Sequence, residues 1–492
     1  MSEGAGYWQR VAKARFSRRA ALAFGGLGGA VAVGAALRLS GFVKRPPASE
    51  AASISVRAQT NHLFRRAAFG ASRLDLDQHG DKPPAAIAAI LVNYQDVPND
   101  ALEARLEAAN LDMTKRDALQ RWWLLRMMYT SRPFEERMTL FWHGILTTAF
   151  TKVNKPDLLL QQNDFLRRNA LGSFRDILVG ISKDPAMLIW LDGATNRKGK
   201  PNENYARELM ELFSMGIGNY TEDDVREGAR ALTGWTLAGA KEGPTESVFR
   251  AAQHDDGQKT FLGQTGNLGL EEIVDIIVKQ PATAQYLSRR LFSFFAYPDP
   301  EPQVIQPLVD AYFASGYSVK AMVEQLFALP AFYSPRAYRA IVSSPVDFIV
   351  GMVRTLDIET DATGLPGAMA SMNQQLFNPP DVSGWDGGMT WLNGSTWFAR
   401  MNLVNRLTTA RKSGATSAVA LDALVQARAL DSGQAFVDYW ADLLLDGNLP
   451  EESRAMLVQY LDEGGGLTKR NLDLRGRATV YLMLASPECQ LV

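Results

Sequence analysis

One cysteine, Cys489, and four histidines are all that the 492-residue chain offers of the soft metal ligands and redox side chains. A lone cysteine excludes an intramolecular disulfide, so the fold has to be held by its core. Four scattered histidines exclude a histidine-rich metal site. The common catalytic signatures are also missing: there is no His-Glu-x-x-His helix, no Gly-x-x-x-x-Gly-Lys loop, no Gly-x-Ser-x-Gly elbow and no Cys-x-x-Cys pair. Zinc-peptidase, phosphate-loop nucleotidase, serine-hydrolase and zinc-finger readings fall with them. Basic blocks are absent outside the N-terminus. Residues 1–45 carry a balance of +7, which leaves −8 for the rest of a chain whose total is −1. A mildly acidic body of this kind has no electrostatic footprint for nucleic acid.

What the chain does have is apolar content at helical spacing. Hydrophobic residues make up 46% and charged residues 21% of it, which suits a globular protein with a full core. The segments "RDALQRWWLLRMMYT", "FEERMTLFWHGIL" and "DLLLQQNDFLRRNALGSFRDILVG" repeat at i, i+3, i+4 and i+7 and predict helices. The expected fold is mainly α, a large multi-helix domain with αα-hairpins and one short β-hairpin. That hairpin is expected in "SVFRAAQHDDGQKTFLG", with Asp256-Gly257 as its turn. Residues 1–54 read as a leader and linker, and 55–492 as a single mostly helical domain or two closely packed lobes.

Within the leader, Ser17-Arg18-Arg19-Ala20-Ala21-Leu22 precedes an 18-residue apolar run, Ala20 to Leu37, with five glycines. The arrangement resembles a twin-arginine export signal, with Leu22 fitting the pattern and Ala21 standing where Phe is usual. The competing reading is a short membrane anchor, which the glycine content weakens. The expectation is an exported, periplasmic or cell-envelope protein that touches the membrane only through this segment.

The stretch "NRKGKPNENYARELMELFSMGIGNYTEDDVREGARALTGW", 196–235, predicts an αα-hairpin. Asn202 is placed to cap the first helix, with Glu203 in its first turn. Ala206, Leu209, Met210 and Phe213 form an apolar stripe, and Asn204, Arg207, Glu208 and Glu211 line the opposite side. Gly216 ends that helix. Thr221 with Asp224 starts the second by a capping box. There Val225, Gly228, Ala229 and Leu232 form the apolar stripe, while Arg226, Arg230 and Thr233 run toward Trp235. The charges admit two readings: solvated i, i+4 pairs such as Arg207 with Glu211, or the wall of a site.

This hairpin, together with "MTLFWHGILTTAFTKV", "DPAMLIWLDGATNRKG", "HDDGQKTFLG", "SPVDFIVG" and "FNPPDVSGWDGG", resembles a bacterial family catalogued as domain of unknown function 1800, from about Asn61 to the C-terminus. The resemblance implies an exported protein, in a family often encoded beside a sulfatase-like family; it implies no activity, substrate or cofactor. The family's signature positions fall here on His143, Asn202, Glu203, Asn204, Arg207, Glu208, Glu211, Arg230, Gly234, Trp235, His254, Asp255, Gly257 and Lys259. Where members often carry His-Asn-His, this chain has His143-Gly144-Ile145.

Carboxylates, amides, arginines and tryptophans are the equipment of a polysaccharide site. Glycoside cleavage needs one protonated and one ionised carboxyl group, and Glu203, Glu208 and Asp255 are the candidates. Asn204, Arg207, Arg230, Trp235, His254 and Trp385 are the candidate substrate contacts, the arginines gripping sulfate, phosphate or uronate and the tryptophans stacking on sugar faces. A metal-dependent enzyme using His143, His254, Asp255 and Glu208 is a second possibility. A third is a non-catalytic polymer-binding or assembly protein that partners the sulfatase-like neighbour.

Overall fold

The computed structural model describes residues 54–238, 245–409, 418–463 and 465–492. The segment expected to be a twin-arginine signal lies outside the described residues. Helices account for 61% of the structure, and the strands among the described residues make only two small two-stranded antiparallel sheets. The mainly α expectation is met. No described helix is long and apolar enough to cross a membrane.

The apolar residues gather into two clusters. One is built around Phe64, Trp142, Phe174, Leu209, Phe213, Ile273, Phe292 and Tyr312. The other centres on Trp123, Val346, Ile349, Phe377, Leu407, Phe436, Trp440 and Val480. Helix Pro133–His143 serves both, giving Phe134, Met138, Phe141 and Trp142 to the first and Leu140 to the second. The same helix contributes polar side chains to the interior. Fully buried Glu136 accepts from Trp123 Nε1 (2.8 Å), Arg126 Nε (3.1 Å) and Arg167 Nε and Nη2 (2.7 and 3.0 Å). These charge-assisted bonds hold its carboxyl below the usual range, although burial alone pushes the other way.

The αα-hairpin forms as its pattern dictates. Helix Asn204–Glu211 buries Ala206, Leu209 and Met210, with Phe213 just beyond its end. The chain leaves it through Gly216, whose φ of +80° suits glycine and whose N–H donates to the Met210 carbonyl at 3.1 Å. Thr221 and Asp224 make the reciprocal capping box of helix Glu222–Ala231. Gly228 permits the close approach of three elements: a Cβ there would lie 3.1 Å from the Phe261 ring and 3.6 Å from the Ala206 Cβ. The first helix starts one residue later than Asn202 as N-cap would place it, with Glu203 in the cap position. The Asn202 side chain nevertheless accepts from the Asn204 N–H at 3.0 Å, closing the turn that leads into the helix.

The expected β-hairpin is the one local correction. Strand β1 (Trp235–Ala238) pairs with β2 (Glu246–Phe249), and β3 (Lys259–Phe261) pairs with β4 (Gln264–Gly266). Asp256-Gly257 lies between the two ribbons, in the connection from β2 to β3, and not at the tip of either. The tip of the second ribbon is Leu262-Gly263, both at positive φ (45° and 77°), as a two-residue hairpin turn requires. The Asp-Gly pair is held elsewhere, because the neighbouring Asp255 side chain accepts from the Gly257 N–H (3.0 Å) and is drawn to Arg230.

Candidate functional site

Three segments meet where the second helix of the hairpin ends. Buried Asn196, in the loop before the first helix, joins them: its Nδ2 donates to the Ala229 carbonyl (2.9 Å) and its Oδ1 accepts from the Asn202 N–H (2.9 Å). Its own carbonyl accepts from the Gly234 N–H at 3.2 Å. The third segment, 250–257, docks through Thr233, whose Oγ1 accepts from the Asp255 N–H at 2.7 Å. The Thr233 carbonyl accepts from His254 Nδ1 at 2.9 Å. A carbonyl only accepts, so Nδ1 carries a hydrogen in this contact. Gly234, at φ +97°, lets the Phe249 ring close over the backbone: a Cβ there would sit 2.9 Å from that ring and 3.1 Å from the His254 Cβ.

Of the candidate residues, the structure brings Arg230, Trp235, His254 and Asp255 together here. Arg230 donates to Asp255 through Nε (2.9 Å) and Nη2 (3.2 Å), and to Glu227 through Nη1 (2.7 Å). The guanidinium holds the Asp255 carboxyl down at about 2. Asp255 therefore stays ionised across the physiological range and cannot act as a general acid. Arg230 is likewise committed to two carboxylates, and an incoming sulfate or uronate would have to displace one of them. Buried Lys259 lies alongside, its Nζ donating to the Gly257 carbonyl at 3.0 Å; burial lowers its pKa.

Glu203, Arg207 and Glu208 fall in a different set of contacts. Arg207 makes a two-pronged bond with Glu222 across the hairpin (2.8 and 2.7 Å) and a looser approach to Glu203 (3.7 Å). The i, i+4 partner suggested by spacing, Glu211, instead accepts from the Tyr220 hydroxyl. Glu208 is half-buried, and desolvation, reinforced by the nearby Glu211 charge, raises its carboxyl above the usual range. Asn204 Nδ2 donates to the Leu191 carbonyl at 3.3 Å.

His143 and Trp385 form a third group. His143 is buried against the rings of Trp123, Phe377 and Trp385, and its Nε2 accepts from the Phe377 N–H at 3.1 Å. Burial pushes its pKa down to about 3, so the ring is neutral. An imidazole engaged in this way is a packing element. Among the described residues, no group of three or more His, Cys, Asp and Glu side chains is placed to hold a metal ion. His143, His254, Asp255 and Glu208 do not make a metal centre.

Sequence reasoning missed the surface beside the Arg230–Asp255 pair. Phe249, 48% exposed, stands between Trp235 (ring centroids 5.5 Å apart) and His254 (5.4 Å). Lys183 Nζ lies 5.0 Å from the Trp235 ring centroid. The signal available was an aromatic residue at the end of a short strand that begins with Glu246 and is followed by Arg250; alternation alone does not say which face is open. A cavity of about 400 Å³ lies apart from these residues, lined by Glu103, Leu106, Glu107, Leu111, Met113 and Trp122.

Comparison with curated proteins and with solved structures yields no match. The model of the family described as "Protein of unknown function (DUF1800)" matches residues 62–491, nearly the whole chain, and the protein belongs to that family.

Proposed function

We propose that the protein is an exported cell-envelope protein that binds polysaccharide without cleaving it, on the surface formed by Trp235, Phe249 and His254. The observation that carries this reading is the half-exposed Phe249 ring held between two further rings beside polar groups. Aromatic faces give a sugar ring an apolar surface to stack on, and a flanking donor such as Lys183 supplies direction. The ion pairs support binding over chemistry, since Asp255 and Arg230 are occupied by each other. The sulfatase-like neighbour enters as a candidate partner for the same envelope polymer.

The test is co-sedimentation with a panel of neutral and anionic polysaccharides. Phe249→Ala and Trp235→Ala should each weaken binding about tenfold or more, since loss of a stacking ring commonly removes 1–2 kcal/mol. Melting curves should stay near wild type for Phe249→Ala, whose ring is the more exposed. A wild type that binds no polysaccharide, or variants that bind as well as wild type, would overturn the reading.

One observation favours a second reading. Glu208 has the raised carboxyl that a general acid needs. A hydrolase using it would release product from a polysaccharide, and Glu208→Gln would lower turnover about 10²- to 10⁴-fold with binding retained. A wild type that binds but releases no product leaves the binding reading standing.

A further inference from the structure

We infer that a small alkylated ammonium ion binds in the cavity of about 400 Å³ lined by Glu103, Leu106, Glu107, Leu111, Met113 and Trp122. The cavity is built by one stretch of chain. Glu103, Leu106 and Glu107 stand at i, i+3 and i+4 on helix Asp100–Ala108, so they share one face. Leu111 and Met113 come from the turn that follows, and Trp122 from helix Arg116–Tyr129, which packs against the first helix. The turn is fixed by its own bonds. The Asn110 N–H donates to the Glu107 carbonyl at 3.0 Å, and Asp112 Oδ1 accepts from the Thr114 N–H and hydroxyl at 3.1 and 2.6 Å. The volume falls in the lower part of the range for small-molecule sites, about 300–1,000 Å³, which suits one small ligand.

The lining decides the chemistry of that ligand. Its charged members are both carboxylates, and both are exposed, while Leu106 is buried and Leu111, Met113 and Trp122 are half-buried. Glu103 has a partner in Arg126 at 3.0 Å. The Glu107 side chain makes neither a hydrogen bond nor an ion pair among the described residues. The guanidiniums of Arg126 and Arg167 lie 5.2 and 5.3 Å from the Trp122 ring centroid, so this indole already attracts cations. Neither of them lines the cavity. Both are neutralised: Glu136 accepts from both, Glu103 from Arg126, and Asp164 from Arg167 at 2.7 Å. Three carboxylates thus answer two guanidiniums, and Glu107 is a fourth with no cation of its own. A positive ligand resting against the indole supplies one. An anion would instead meet two carboxylates. A metal ion lacks its ligands, since among the described residues no group of three or more His, Cys, Asp and Glu side chains is placed to hold one. A bare ammonium carries three N–H donors that a wall of Leu106, Leu111 and Met113 leaves unpaired, whereas methyl groups on the nitrogen pack against it.

The experiment is ligand-observed saturation-transfer NMR on the full chain at low salt. Choline is titrated and, separately, its neutral isostere dimethylbutanol, in which carbon replaces the nitrogen. Wild type should bind choline saturably, with a dissociation constant on the order of 1 mM, and the isostere about fivefold more weakly. Glu107→Gln should weaken choline binding about fivefold and Glu107→Lys should abolish it, with melting curves near wild type because the side chain is exposed and unpaired. Phe249→Ala, on the separate aromatic surface, should bind choline as wild type does. The proposal is overturned if wild type binds no choline, if the isostere binds as well, or if Glu107→Lys binds as wild type does. Binding lost in Phe249→Ala alone would put the cation on that other surface and overturn the site as well.

Discussion

Replacing Asp255 with Asn separates a carboxylate that holds the structure from one that performs chemistry. The variant keeps an oxygen to accept from the Gly257 N–H and removes the charge facing Arg230. The Asp255 carboxyl is held at about 2, against 3.8 ordinarily, a difference equivalent to about 2.4 kcal/mol if all of it reached the folded state. The two side chains are 27% and 18% exposed. Solvent screening therefore brings the expected loss to about 1–2 kcal/mol at pH 7. Because the folded-state pKa is depressed, this stabilisation is complete above about pH 4–5 and is lost as pH falls through 2. Urea unfolding of wild type and variant should thus differ fully at pH 7 and pH 5, with the gap shrinking to about half by pH 3. An equal gap at pH 3 and pH 7 would refute the ion-pair account. An unchanged stability coupled to lost turnover would make Asp255 a catalytic group after all.

Gly234→Ala should destabilise by about 1–3 kcal/mol and weaken polysaccharide binding together, because the methyl group meets the Phe249 ring and the His254 Cβ at a positive φ; urea midpoints and co-sedimentation check both. Glu136→Gln should lower stability by about 3 kcal/mol, near the low end for a broken buried ion pair, since Arg126 keeps Glu103 and Arg167 keeps Asp164; a loss below about 1 kcal/mol would contradict the network. Arg18→Lys with Arg19→Lys should leave the protein in the cytoplasmic fraction, and an unchanged periplasmic yield would remove the export proposal.

The fold was legible wherever short-range rules act without competition. The stripe Ala206, Leu209, Met210 and Phe213 is buried, and the Thr221–Asp224 box caps its helix, because both features are decided within a few residues. The Asp256-Gly257 hairpin was misread for the complementary reason. Its turn chemistry is sound, but Asp255 gains a two-pronged bond to an arginine 25 positions away, and that tertiary contact outweighs a local preference. The hairpin tip went instead to Leu262-Gly263, a pair whose first residue disguises it.

The site was less legible because its character depends on who neutralises whom. Spacing offered Glu211 to Arg207, yet Glu222, across the hairpin, takes that arginine with two hydrogen bonds, and Glu211 serves Tyr220. The same substitution of partners decides the chemistry. Glu208 lacks such a close pairing and has a raised carboxyl, whereas Asp255, the same kind of group to a sequence reader, is fixed as an anion. Charged residues in the interior are hidden more thoroughly still. Arg66 and Glu136 are charged residues on helices, and both are buried, which helical spacing alone does not foretell. Enclosure turns an ordinary surface charge into one that must be paired, which is why Glu136, between Arg126 and Arg167, is a self-sufficient structural bond that spacing alone does not announce.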